Sequence, residues 1–260
     1  GGVGAREQRA VGPLATQGMA DYGADVIKVE ALSGDISRSL AGRAVTAHMS
    51  SKFIHLNRNK RSIGLDLASE GGRAVLMKLL DTADVLIETF KPGTLNKWGI
   101  GNAVLRAKFP RLVHCRISGF GADGPRGGNP GYDAIIQAMT GMIAATGSPE
   151  SGPMRIGVPV VDITTGLYAA IGILMALSER QRSGLGQFLE TTLYETGLAV
   201  MHPHAANYFM HGKPPGLTGN EHPNLVPYAI FPTKTDNIFI GVGNDGTFRK
   251  LAKEVGKPEL

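Results

Sequence analysis

A single carboxylate, Asp162, interrupts the otherwise apolar residues 158–163 at the start of the most apolar helix that the sequence predicts. Two roles suit it, and they are not exclusive. Aspartate is a good N-cap residue, and Thr164 and Thr165 follow naturally from such a cap. A carboxylate at a helix N-terminus between apolar segments also stays ionised while poorly hydrated, which is what a nucleophilic carboxylate requires. The residues by themselves leave both roles open.

Residues 119–124 match the pattern G-x-G-x-x-G and follow a predicted strand, as in dinucleotide-binding loops. Such a loop needs a helix that opens at the last glycine and aims its amides at a pyrophosphate. Residues 125–130 begin and end with proline and contain two glycines, so they are not expected to form that helix. The loop is therefore predicted to be the wall of some other pocket.

The histidines and the cysteine give no metal-binding pattern. His202 and His204 are two residues apart, whereas metal ligands on one helix face prefer spacings of three or four. They are interpreted as surface histidines. Cys115 is the only cysteine and lies in an apolar strand, so we expect a buried small hydrophobe. One cysteine excludes an internal disulfide framework and a cysteine-built metal site.

Composition points to a globular protein, because 42% of the 260 residues are hydrophobic and only 19% are charged. The formal charge is +5, and the densest basic run is residues 58–61. No aromatic residues interleave with this run, so a solvated loop is favoured over a nucleic-acid site. The most apolar stretch, residues 157–177, contains Asp162 and two threonines, which argues against a membrane span. We expect a soluble protein of a reducing compartment, with no nucleic-acid or membrane partner.

Helix and strand patterns alternate along most of the chain. Apolar periodicity predicts strands at residues 24–30, 84–88, 111–118 and 187–193, with helices at 13–22, 70–82, 103–108, 133–146 and 162–180. A further long helix is predicted after residue 193, reaching about residue 208. This alternation predicts an α/β fold, an open and mostly parallel sheet with flanking helices in a Rossmann-like large domain. No strand is recognisable in residues 1–10.

A second domain is predicted after a stretch rich in Gly, Pro and Asn. We expect a large α/β domain over residues 1–211 and a linker over 212–225. Residues 226–260 are then expected to be the beginning of a smaller domain that the 260 residues do not complete.

Many of these motifs, taken in order, resemble the family III CoA-transferases of the CaiB/BaiF type, which include formyl-CoA, carnitine and dicarboxylate CoA-transferases. The resemblance covers nearly the whole chain. It is carried by residues 20–30, 57–63, 84–88, 92–93, 130–133, 137–138, 146–147, 162, 165–166 and 180–187.

The resemblance implies functional residues at matching positions. The family's nucleophilic aspartate falls on Asp162. Its CoA-contacting positions fall on Leu65, Thr89, Phe90, Lys91, Lys97, Pro130, Gly131 and Tyr132. Lysines suit the phosphates of CoA, and Leu65 and Phe90 suit adenine or the pantetheine arm. Ala31 and Ala68 stand where relatives carry nucleotide-contacting basic residues, so those contacts are not expected here.

The implied reaction moves CoA from an acyl-CoA thioester to a carboxylic acid, with a dicarboxylate expected, through an aspartyl anhydride and an aspartyl-CoA thioester. CoA is then a substrate, and no permanently bound cofactor is expected. The family also implies an interlocked homodimer and a cytoplasmic location, or the mitochondrial matrix in a eukaryote.

Two alternatives stay open. The family contains α-methylacyl-CoA racemases, which use a histidine–aspartate pair to move an α-proton. Tyr132 occupies the histidine position here, and a phenol is a poor base at neutral pH, so transferase is favoured. The other alternative is a shortened relative that binds CoA without turning it over.

Overall fold

A computed structural model describes residues 2–6, 10–40, 46 and 49–260. The chain forms two compact units. The first consists of residues 1–136 and 158–197, and the second consists of residues 137–157 and 198–260.

The first unit is built on a six-stranded sheet in which each strand pairs in parallel with its neighbours. The strands are β1 (Gly2–Arg6), β2 (Asp25–Glu30), β3 (Lys60–Gly64), β4 (Ala83–Glu88), β5 (Val113–Ser118) and β8 (Phe188–Thr192). Their spatial order is β3-β2-β1-β4-β5-β8. This is the doubly wound Rossmann order with β8 as the sixth strand. The predicted fold class is confirmed.

Helices connect these strands and cover the sheet. They are α1 (Val11–Asp21), α2 (Ser51–Asn57), α3 (Glu70–Leu80), α4 (Thr94–Lys97), α5 (Asn102–Lys108) and α8 (Val160–Ser183). Leu86 of β4 joins a core cluster with leucines of α3, α4 and α5. Because side chains alternate along a strand, Val85 and Ile87 point to the opposite face, where they are also buried. Both faces of the sheet are therefore covered, as parallel sheets require.

Residues 2–6, where no strand is recognisable from the sequence, form β1. β1 lies in the middle of the sheet, between β2 and β4, and pairs with both. Its sequence is poor in β-branched residues, because Val3 is the only one, so strand propensity gave no signal. Hydrogen bonding to β2 on one side and to β4 on the other stabilises β1 as a strand despite its low strand propensity.

Two predicted helices are each divided in two. The helix expected over residues 133–146 is α6 (Asp133–Met139) and α7 (Met142–Ala145), separated at Gly141, whose φ of 86° ends helical geometry. The helix expected to reach residue 208 is α9 (Leu193–Ala199) and α10 (His204–His211). Pro203 lies between them and lacks the N–H that a continuous helix needs.

The second unit contains two antiparallel strand pairs. These are β6 (Gly147–Ser148) with β7 (Gly152–Pro153), and β9 (Tyr228–Pro232) with β10 (Asn237–Gly241), followed by α11 (Asp245–Glu254). Residues 212–225, the predicted linker, pack inside this unit: the N–H of Gly219 donates to the carbonyl of Gly147 at 2.8 Å. The chain thus passes from one unit to the other after residues 136, 157 and 197. The sequence pattern instead predicts a domain boundary at residues 212–225.

Candidate active site

Three of the predicted CoA-contacting segments follow strands of the same parallel sheet. Leu65 comes directly after β3, residues 89–91 come after β4, and residues 130–132 end the long loop after β5. In a parallel sheet the carboxyl ends of the strands lie at the same edge, where open α/β sheets bind ligands. The order of the strands reverses between β1 and β4, so residues 89–91 stand at the switch point itself. Residues 7–9, which follow β1 in the sequence, lie outside the described residues.

Leu65 and Phe90 belong to one apolar cluster. Leu65 is only 8% exposed, and Phe90 packs against the same group of residues. The rings of Phe90 and Trp98 meet edge to face with their centroids 5.2 Å apart. Leu65 therefore presents little surface of its own, whereas the half-buried Phe90 is the more available apolar contact for a ligand.

Lys91 and Lys97 are both exposed. Gly93, with a φ of 87°, turns the chain between them, and the N–H of Lys97 donates to its carbonyl at 3.0 Å. Gly128, in the loop after β5, lies beside Lys91: a Cβ at that glycine would be 3.9 Å from the lysine Cε. Lys91 thus lies next to the loop that follows β5.

The loop after β5 closes on itself at two glycines. A Cβ on Gly119 would lie 2.3 Å from the nitrogen of Gly131, and a Cβ on Gly131 would lie 2.6 Å from the Cα of Gly119. Only glycine permits backbones this close. The contact brings the chain back to the end of β5 before Tyr132, whose side chain is 47% exposed.

Asp133, the first residue of α6, joins this loop to the predicted nucleophile. Its Oδ1 accepts hydrogen bonds from the backbone N–H groups of Val161 at 2.9 Å and Asp162 at 3.1 Å. These are orphan donors at the start of α8, which a carboxylate satisfies well. Asp133 belongs to the 130–133 motif, but the motif by itself does not indicate this capping role.

Asp162 is half-buried in the first turn of α8 and is not the N-cap residue. The helix begins at Val160, its N-cap is Pro159, and Asp133 supplies the capping oxygen. The N-cap interpretation of Asp162 is therefore wrong. The carboxylate remains close to the positive end of the helix dipole, which favours its charged form.

A glycine in α8 lets α1 approach the turn that carries this carboxylate. A Cβ on Gly166 would lie 3.1 Å from the carbonyl oxygen of Val11 and 3.3 Å from the nitrogen of Ala15. Thr165 and Ala169, on the same face of α8, are completely buried. The position of Asp162 is thus fixed from two sides, by α1 and by Asp133.

The dinucleotide motif does not form a dinucleotide site, since no helix opens at Gly124 and the chain runs in turns and bends to residue 132.

Glu30, the acidic residue at the end of β2, is hydrogen-bonded within the chain. Its carboxylate accepts from Arg38 Nε at 2.8 Å, Arg38 Nη2 at 2.7 Å and Ser62 Oγ at 2.6 Å. Burial opposes ionisation of Glu30, but the hydrogen bonds from Arg38 and Ser62 outweigh it and lower its pKa to about 2.

The basic run is paired within the chain. The guanidinium of Arg58 binds the carboxylate of Asp21, and that of Arg61 binds Asp25 at 2.5 and 3.0 Å. Lys60 Nζ donates to the carbonyl of Pro13 at 2.9 Å. The hydrogen bond from Arg58 also lowers the pKa of Asp21. The three cations of this run are therefore bonded within the chain, whereas a nucleic-acid site would need them to contact phosphates.

Within residues 2–6, 10–40, 46 and 49–260, no group of three or more His, Cys, Asp or Glu side chains is arranged to hold a metal ion. Over the same residues, α8 is the one helix long and apolar enough to cross a membrane, judged by length and composition. Its Thr165, Ala169 and Ile173 are buried in the first unit, and it contacts α1, β5 and β8. Only 33% of its most apolar 18-residue window is buried within the described residues.

Comparison with known proteins identifies relatives over this whole arrangement. The chain is 43% identical over 251 residues to a succinate–glutarate CoA-transferase of Agrobacterium fabrum, covering 94% of this chain and 63% of that protein. It is 41% identical to a succinyl-CoA–D-citramalate CoA-transferase of Chloroflexus aurantiacus, covering 96% of this chain and 62% of that protein. The chain thus spans about six tenths of the length of these curated relatives.

A solved structure shares the fold. The crystal structure of a CaiB/BaiF family protein from Brucella suis superposes with a TM-score of 0.85 at 41% identity, over 100% of this chain and 69% of that one. The family model for CoA-transferase family III matches residues 6–260. The chain therefore belongs to CoA-transferase family III.

Proposed function

We propose that this protein moves CoA from an acyl-CoA thioester to a carboxylic acid. The observation that carries the proposal is the placement of Asp162: a half-buried carboxylate in the first turn of α8, held by Asp133. The same residue, Asp133, follows the 130–132 segment, which starts from the carboxyl edge of the sheet. A nucleophilic carboxylate is thereby connected to the edge where we expect CoA to bind.

The reaction needs four acyl transfers, two that release the donor acid and two that form the new acyl-CoA. Asp162 attacks the donor thioester carbonyl, forming an aspartyl–acyl anhydride and releasing CoA thiolate. The thiolate attacks the aspartyl carbonyl of the anhydride, forming an aspartyl-CoA thioester and freeing the donor acid. The acceptor carboxylate then displaces the thiolate to form a second anhydride. Thiolate attack on the acceptor carbonyl gives the new acyl-CoA and regenerates the Asp162 carboxylate.

CoA binding is assigned to the sheet edge and its loops. Lys91 and Lys97 are exposed cations suited to the phosphates, and Phe90 offers apolar surface to adenine or to the pantetheine arm. Leu65 is largely buried, so its role is to support this surface from below. Pro130, Gly131 and Tyr132 contribute the wall nearest to Asp133.

A dicarboxylate is the proposed acceptor class. The relatives named above act, by their names, on succinate, glutarate and citramalate, which are all dicarboxylates. A racemase reaction is disfavoured, because Tyr132 occupies the position where a racemase requires a histidine base.

We also propose that the protein works as a homodimer, in the cytoplasm or, in a eukaryote, in the mitochondrial matrix. Four apolar side chains along one face of α8 are 54–68% exposed: Leu167, Ile171, Leu174 and Met175. Their spacing forms a continuous stripe on the helix, and such a stripe is usually covered by another protein surface. A partner subunit of this chain suits it. A monodisperse monomer at micromolar concentration would contradict the dimer.

The function is tested by incubating the full-length protein with succinyl-CoA and a panel of mono- and dicarboxylic acids, with the products identified by mass. We expect new acyl-CoA species from dicarboxylates and none from the Asp162→Asn variant. Absence of exchange with every acid, together with α-proton exchange into deuterated water, would favour the racemase reaction. CoA binding without either reaction would identify a non-catalytic relative.

A further inference from the structure

Glu88, at the carboxyl end of β4, is a buried carboxylate that the proposed reaction does not use. It is 1% exposed and follows Val85, Leu86 and Ile87, which are also buried. Taking a carboxylate out of water costs several kcal/mol unless it is paired and hydrogen-bonded. Its partners therefore define what it does.

Both oxygens of Glu88 have hydrogen-bond partners, and the partners lie on different elements. Oε2 accepts the backbone N–H of Phe90 at 2.8 Å. Oε1 accepts Nε–H of Arg116 at 2.8 Å. Arg116 stands directly opposite Glu88 in the pairing of β4 with β5. The Nε2 atom of His114 is 3.6 Å from Oε1, too far for a hydrogen bond.

These bonds fix the direction in which the chain leaves the sheet. Phe90 lies two residues beyond Glu88, outside the strand, so its N–H is held by the carboxylate rather than by a neighbouring strand. The other end of this short segment is held by α4, because the N–H of Thr94 donates to the carbonyl of Lys91 at 3.0 Å. The Phe90 ring rests against Trp98. Residues 89–91 are thus tied down at both ends.

We propose that Glu88 is a positioning residue for acyl-CoA binding, and that Arg116 holds its carboxylate against the N–H of Phe90. This inference rests on the proposed function, since it takes residues 89–91 as a CoA-binding segment. A preorganised segment binds its ligand without the entropic cost of ordering it. Loss of the bond therefore raises the KM for acyl-CoA and the Kd for CoA, while kcat, which depends on Asp162, changes little.

Four variants of the full-length protein separate positioning from general stability. Glu88→Gln removes one of the two acceptor oxygens and leaves a donor facing either Arg116 or Phe90. Arg116→Gln puts an amide atom where Arg uses Nε, so it keeps a donor and loses the charge. The double variant replaces the ion pair of Glu88 and Arg116 by two neutral amide side chains, which can hydrogen-bond to each other. Asp84→Asn is the matched control: it removes an ion pair with Arg180 (2.8 Å) at the opposite end of the same strand.

Isothermal titration with CoA and steady-state kinetics give the first readout. We expect Glu88→Gln to weaken CoA binding by roughly tenfold or more, as for loss of a hydrogen bond to a charged group. The acyl-CoA KM should rise to match, with kcat within about threefold of wild type, since the group that reacts is unchanged. Arg116→Gln and the double variant should lie within a few-fold of wild type, and Asp84→Asn should be unchanged.

Fluorescence of Trp98, the only tryptophan of these 260 residues, gives a readout independent of CoA. The emission is taken as the difference from a Trp98→Phe variant. A displaced Phe90 should shift it in Glu88→Gln and not in Asp84→Asn. Equal emission and equal CoA affinity in Glu88→Gln and wild type would overturn the proposal, as would equal losses in Glu88→Gln and Asp84→Asn. If wild type binds no CoA, the proposed function fails, and Trp98 emission still decides whether Glu88 positions the segment.

Should Glu88→Gln fail to fold, the comparison of Arg116→Gln with the double variant decides. Arg116→Gln keeps the Glu88 carboxylate as acceptor for the N–H of Phe90, and the double variant offers the amide oxygen introduced at position 88 instead, so both variants must retain CoA binding. Loss of binding in a folded double variant would also overturn the proposal.

Discussion

Asp133 Oδ1 accepts the backbone N–H of Asp162 at 3.1 Å, so one carboxylate sets the position of the other across 29 residues of sequence. The acceptor is itself placed by the contact of Gly119 with Gly131. The start of α8 is thereby attached to the end of β5, and the proposed nucleophile is located by backbone geometry rather than by its own side chain.

The first prediction concerns Asp162→Asn. An amide cannot form the anhydride, so turnover should fall to background while CoA binding persists. Because Asp162 is not the N-cap of α8, the melting temperature should stay within a few degrees of wild type. Exchange assays, calorimetry with CoA and thermal unfolding check the three parts.

A chemical trap complements that variant. Wild type incubated with acyl-CoA and hydroxylamine should gain a hydroxamate at Asp162, detectable by peptide mass, because activated carboxylates react with hydroxylamine. Near-normal turnover in Asp162→Asn would remove the residue from the mechanism.

The second prediction separates Asp133→Ala from Asp133→Asn. Alanine leaves the N–H groups of Val161 and Asp162 without their acceptor, which should cost about 1–2 kcal/mol of unfolding free energy. The displaced helix start should also lower kcat. Asparagine retains an oxygen at the same position, so Asp133→Asn should keep most of the unfolding free energy and most of kcat. Denaturant unfolding and exchange rates measure the difference; an alanine variant that matches wild type in both would contradict the role given to Asp133.

The third prediction concerns Gly131→Ala. The added Cβ would lie 2.6 Å from the Cα of Gly119, so the loop after β5 must open. Overpacking of this kind costs about 1–3 kcal/mol, and the displaced Tyr132 should weaken CoA binding. Gly71→Ala, inside α3 with no atom within 4 Å of the new Cβ, is the control. It should stabilise the protein by about 0.5–1 kcal/mol. Equal stability in the two variants would disprove the close contact.

The fourth prediction is an acid-dependent loss of stability from Glu30. Its pKa in the folded protein, about 2, lies below the ordinary 4.5, so the ionised form stabilises the fold above about pH 4.5. That contribution, about 3 kcal/mol at most, is lost as the pH falls from about 4.5 through 2. Unfolding free energies between pH 2.5 and about 6 should therefore drop more steeply in wild type than in Glu30→Gln. Parallel curves would rule this out.

Local pattern predicted the strands that carry continuous apolar runs, such as β4 and β5, because burial on both faces of a parallel sheet demands them. It failed for β1, whose stability as a strand comes from its neighbours. The breaks at Gly141 and Pro203 were missed because apolar periodicity continues across them. At the candidate site, the position of Asp162 near a helix start was predictable. Its partner Asp133 was not, since that hydrogen bond depends on how α6 and α8 pack.

Residues 137–157 interrupt the first unit, so α8 and β8 are synthesised after that interruption. A nascent chain that has emerged only to residue 157 contains β1 to β5 and all the segments assigned to CoA, with β5 as an uncovered edge strand. It still lacks Asp162. The carboxyl edge of the sheet, with the segments proposed to bind CoA, can thus assemble during translation before the proposed nucleophile is synthesised. Addition of α8 then supplies Asp162, and addition of β8 pairs with the open side of β5.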